Sequence, residues 1–105
     1  MTPDQINLKI SLAIHYFNDE GNSCYSTGEV IKAFPLKPQI GEDVRFFYKH
    51  PDDSHSAIKL KIAHIIYDDN LSNEPTLYLQ NYELRDKESL NEIKTMFTIM
   101  GFKYK

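Results

Sequence analysis

Four histidines, one cysteine and four adjacent pairs of carboxylates are the side chains of this 105-residue chain whose types and spacing could do chemistry. His50 and His55 flank Asp52 and Asp53, so imidazole and carboxylate could meet a divalent metal there. No cysteine assists and the spacing matches no standard zinc pattern, so this stretch reads as a solvated turn and no metal site is assigned. His15 and His64 could share general acid–base work, but nothing in the sequence brings them together. Cys24 would be a nucleophile only with a base beside it, and a small buried apolar side chain is its commoner role. The four glycines are isolated, so there is no Gly-rich phosphate loop, and no nucleophile elbow or paired-His helix motif is present. The expectation is therefore no catalytic residue, no cofactor and no enzyme activity, with a small histidine-dependent hydrolase as the remote alternative.

Two sets of surface side chains point to binding. Asp19-Glu20, Glu42-Asp43, Asp52-Asp53 and Asp68-Asp69 all fall in turn-like stretches. Turns of a β-meander gather at the ends of the sheet, so two or more of these pairs could form an acidic rim that steers a basic partner. The second set is Arg45, Phe47, Lys49, Lys59, Lys61, Tyr78 and Tyr82, which strand alternation predicts on one outer face. Cations interleaved with aromatics suit a protein interface. They also suit single-stranded nucleic acid, held by stacking and phosphate contact.

The elements that must position these residues are legible. Ile6, Leu8, Ile10, Leu12, Ile14 and Tyr16 fall on every second residue, which predicts a half-buried strand with even positions inward. Asn18 to Ser23 is a turn cluster, and a second strand follows from Cys24 to Phe34, with a bulge expected at Gly28. Pro38-Gln39-Ile40-Gly41 predicts a tight turn into a strand through Val44, Phe46 and Tyr48. A fourth strand runs from about Ala57 to Tyr67 and loses its alternation at Ala63-His64. Thr76 to Leu84 reads as a fifth. The period then changes: Leu90, Ile93, Phe97 and Met100 form one helical stripe, capped at Ser89 or Asp86 and ended by Gly101. The fold class expected is α+β, one domain over residues 1–105. It is a curved antiparallel meander of about five strands in sequence order, with one C-terminal helix packed on the first strand.

Composition agrees. Apolar residues make up 41% and charged residues 26%, ordinary for a globular chain, and the net charge of −3 speaks against a dedicated nucleic-acid binder. A single cysteine fits a reducing compartment. No apolar run is long enough for a membrane span, and the start lacks signal-peptide character, so the expected location is cytoplasmic with no membrane partner. In size, acidity and lack of catalytic motifs the chain is similar to bacterial immunity proteins and phage-encoded inhibitors. The function this implies is non-catalytic binding of another protein, such as a basic toxin or nuclease that it neutralises. A small nucleic-acid-binding barrel is the alternative.

Overall fold

A computed structural model describes residues 5–36, 38–67 and 75–104. It contains β1 (Ile6–Phe17), β2 (Ser23–Phe34), β3 (Asp43–Lys49), β4 (His55–Ile66), β5 (Thr76–Leu79), β6 (Tyr82–Glu83), α1 (Leu90–Ile99) and β7 (Lys103–Tyr104). The strands form one curled, half-barrel sheet with α1 against it, as the change from period two to period three-and-four predicts. Among the described residues there are seven strands where about five were expected, because the fifth segment is broken in two and a short one follows α1.

The order around the sheet is β3-β4-β5-β1-β2-β7, with β6 also beside β1. The antiparallel hairpins are the expected ones, β1 with β2 and β3 with β4, and β5 returns antiparallel to β4. They do not follow one another in sequence order across the sheet. Instead β5 and β6 run parallel to β1 on the edge that β2 leaves free. That makes β1 central, and its strict alternation fits the place: Leu8, Ile10, Leu12 and Ile14 are at most 1% exposed. Ile93, Phe97 and Met100 of the helical stripe join the same buried cluster, with Leu90 packed at its margin.

Gly28 does not make a bulge. β2 pairs with β1 without a register shift from Ser23 to Phe34. The bare Cα of Gly28 instead admits Tyr104 of β7, whose ring carbon would lie 3.1 Å from an added Cβ. The irregularity of β4 is where it was expected, as a register shift between Ile62 and His64. At the end of α1, Gly101 at φ +108° lets its own N–H reach Thr98 O at 3.0 Å and the Phe102 N–H reach Phe97 O at 3.0 Å. This is the Schellman pattern. It turns Phe102 back onto the core, where its ring meets Phe97 at 5.6 Å and Phe46 of β3 at 5.4 Å. Side chains thus bridge the opening between the β3 and β7 edges, which no strand pairing among the described residues closes.

Two turns share one build. Asn18 N–H donates to Asn22 O at 3.0 Å and Gly21 N–H to Asn18 O at 2.9 Å; His50 N–H donates to Ser54 O at 2.8 Å and Asp53 N–H to His50 O at 3.1 Å. Each is a three-residue hairpin loop with its last residue left-handed, Gly21 at φ +80° and Asp53 at φ +69°. Before β3, Glu42 N–H donates to Gln39 O at 3.1 Å with Gly41 at φ +92°, the turn that Pro38-Gln39-Ile40-Gly41 predicts.

Candidate functional site

Strand directions decide which turns lie at the same end of the sheet. β1 is parallel to β5, β5 antiparallel to β4, and β4 antiparallel to β3, so β1 and β3 run the same way. The β1–β2 and β3–β4 turns therefore lie at the same end of the sheet, bringing Asp19-Glu20 and Asp52-Asp53 to that end. Glu42-Asp43 lies elsewhere, at the start of β3 opposite Lys61. Asp68 and Asp69 fall outside the described residues.

Several of these carboxylates are used locally. Asp52 Oδ1 accepts from the Ser54 hydroxyl at 2.5 Å and the Ser54 N–H at 3.0 Å, and these bonds, the hydroxyl first, hold its carboxyl below the usual range. Asp53 lies 3.0 Å from Lys49 Nζ, and Asp43 lies 3.5 Å from Lys61 Nζ. Glu42 Oε1 accepts from Gln39 N–H at 2.7 Å, closing the turn before β3. Asp19 and Glu20 carry no ion pair among the described residues, though Asn22 Nδ2 reaches Glu20 at 3.4 Å.

Large rings stand beside the acidic tips. Phe17, the last residue of β1, is 67% exposed, Tyr25 is 58% exposed, and Phe47 on the β3–β4 hairpin is 67% exposed. The outer face of that hairpin pairs Arg45 with Lys59 and Phe47 with Ala57 across the strands. Like charges directly opposite repel, and neither Arg45 nor Lys59 has an ion-pair partner among the described residues. Tyr78 shares the outer face, opposite His64. It is seven residues of β4 away from Phe47, about 23 Å at strand rise.

Tyr82 is placed otherwise. Gln80 and Asn81 interrupt the strand between β5 and β6, and the ring comes out on the inner side against Phe97, centroids 5.6 Å apart. Its hydroxyl donates to Glu88 Oε2 at 2.7 Å. Burial first, and then that bond, push its pKa up to about 12. The two-residue break is what the unbroken strand reading missed.

His15 gathers a set that sequence reasoning missed. Its Nδ1 lies 2.5 Å from Glu83 Oε2 and its Nε2 lies 2.5 Å from Ser23 Oγ. With both ring nitrogens taken, it makes no pair with His64. His15 and Glu83 are register partners in the parallel β1–β6 pairing, and Ser23 sits one diagonal step away on β2. The sequence offered no signal for Glu83 or Ser23, which are 68 and 8 residues away. His50 bonds Ser56 Oγ at 2.7 Å and meets the Tyr48 ring at 4.8 Å. Among the described residues no three His, Cys, Asp or Glu side chains group as a metal set. Cys24 is free and half-buried.

No protein-family model, curated protein or solved structure matches the chain. Among the described residues no helix is long and apolar enough to cross a membrane.

Proposed function

We propose that the chain is a protein-binding module of the inhibitor or immunity type, acting in the cytoplasm by occupying a basic effector protein rather than by turning it over. The observation that carries this reading is the shared end of the sheet. Two hairpin tips bearing Asp19-Glu20 and Asp52-Asp53 lie there beside exposed Phe17, Tyr25 and Phe47. Rings that anchor, rimmed by carboxylates that steer, match how affinity and association rate divide in protein interfaces.

The test compares the natural chain with a form carrying Asp19→Lys, Glu20→Lys and Asp52→Lys, each immobilised against lysate of its own host. A basic protein retained at low salt by the first and lost by the second is the expected result. Equal retention on both would sink the proposal.

A second reading rests on Arg45 and Lys59, which face each other across β3 and β4 with no ion-pair partner among the described residues. Facing cations with Phe47 beside them suit an anionic strand. Tyr82 does not contribute and Tyr78 is distant, so the platform is smaller than the sequence suggests. A salt-dependent shift of labelled single strands supports this reading; no shift at low salt removes it.

A further inference from the structure

The chain Ser23–His15–Glu83 has the connectivity of an acyl-transfer relay, and this is independent of docking. A carboxylate only accepts, so Glu83 fixes the proton of neutral His15 on Nδ1 and leaves Nε2 to accept from the Ser23 hydroxyl. The His15 side chain is 15% exposed, held between the rings of Phe17 at 5.0 Å and Tyr25 at 4.9 Å. Those rings make an open apolar wall beside Ser23 Oγ. A donor for a developing oxyanion is also at hand. Asn18 and Asn22 close the turn as a hydrogen-bonded pair. The next pair, Phe17 with Ser23, is therefore non-hydrogen-bonded, and the Ser23 N–H points away from β1. Among the described residues β7 pairs with β2 at Gly28 and Glu29 alone, so that N–H lies on the stretch of edge β7 does not reach.

We propose that Ser23 is an activated nucleophile toward small apolar or aryl esters, with His15 as its base and Glu83 as the residue that positions His15. Ser23 Oγ bonds to the ester carbonyl carbon while its proton passes to His15 Nε2. The carbon–oxygen bond to the leaving group then breaks, and His15 returns the proton to the departing oxygen. Water repeats the steps to release the acid, with His15 taking its proton. The flanking rings favour a flat or apolar acyl or leaving group over a charged one.

The test uses the full chain with two probes, a fluorophosphonate and p-nitrophenyl acetate. The fluorophosphonate forms an Oγ–phosphorus bond and expels fluoride. The expected result is an adduct mapped to Ser23 by mass spectrometry and lost in Ser23→Ala. His15→Asn should slow labelling by on the order of 100-fold or more. Glu83→Gln should slow it about tenfold or more, with Glu83→Asp recovering part of the rate. A tie that only holds the strands together would alter the melting temperature and leave these rates alone. The proposal is overturned if the natural chain gives no Ser23 adduct at a dose that saturates a control serine esterase. It is equally overturned if labelling is indifferent to His15→Asn. Should that variant fail to fold, Glu83→Gln, which changes an exposed carboxylate, decides in its place. None of these outcomes depends on a docking partner.

Discussion

Gly21 and Asp53 occupy the same left-handed position in two hairpin turns of the same build, at φ +80° and +69°. Glycine takes that conformation freely, whereas a residue with a Cβ is strained there. Asp53 is partly compensated by Lys49 at 3.0 Å, but both side chains are more than half exposed, so the pair contributes little. Asp53→Gly should therefore stabilise the chain by about 0.5–1 kcal/mol, and Gly21→Ala should destabilise it by about 1 kcal/mol. Urea unfolding midpoints with unchanged slopes check both. A destabilised Asp53→Gly would show that the ion pair outweighs the strain.

Phe97 is wholly buried and touches the rings of Tyr82 and Phe102 edge to face. Phe97→Ala removes both contacts and leaves a cavity, so a loss of about 3–5 kcal/mol is expected. A thermal melt lowered by only a degree or two would show that the helix does not carry the core.

Gly28 is needed for what lies on it. A methyl there would meet the Tyr104 ring at 3.1 and 3.2 Å and the Lys103 carbonyl oxygen at 3.3 Å. Gly28→Ala should push β7 off β2 while leaving the β1–β2 ladder intact. Hydrogen exchange should then quicken at Lys103 and Tyr104 and stay slow through Ile10 and Leu12. Unchanged protection at Lys103 would show that the ring moves aside.

How much of this was legible depended on whether the signal was local. β1 and α1 were readable because each buries one face at its own period, and the turn at Gly41 because its residue types demand it. The place of β5 beside β1 was not. Lys9 pairs with Thr76, and Ile10 with Leu77, across most of the chain, and no local pattern records a parallel neighbour. The same gap hid the His15 site: the imidazole stood out, but Glu83 reaches it only through β6, a strand of two residues. Tyr82 was misplaced because Gln80-Asn81, polar in either case, conceals a break that turns its ring inward.

The two most shifted phenols give the chain an alkaline limit. Burial and the Glu88 carboxylate push Tyr82 up to about 12, and burial alone pushes Tyr104 to about 12. The Tyr104 hydroxyl is buried and has no hydrogen-bond partner among the described residues. A raised pKa means the folded state holds its proton longer than the unfolded state, whose tyrosines titrate near 10. Below that value both states are protonated and the stabilisation is complete. Between about 10 and about 12 the unfolded chain binds fewer protons, so stability must fall as pH rises. Phenolate absorbance should accordingly show Tyr82 and Tyr104 ionising late, as the fold is lost. Tyr82→Phe removes one delayed group and should make the melting temperature fall less steeply with pH in that window. It also frees Glu88, whose carboxyl the Tyr82 hydroxyl holds below the usual range, so its titration should move up. A Glu88 titration unmoved in Tyr82→Phe would show that the 2.7 Å bond between them does not form in solution.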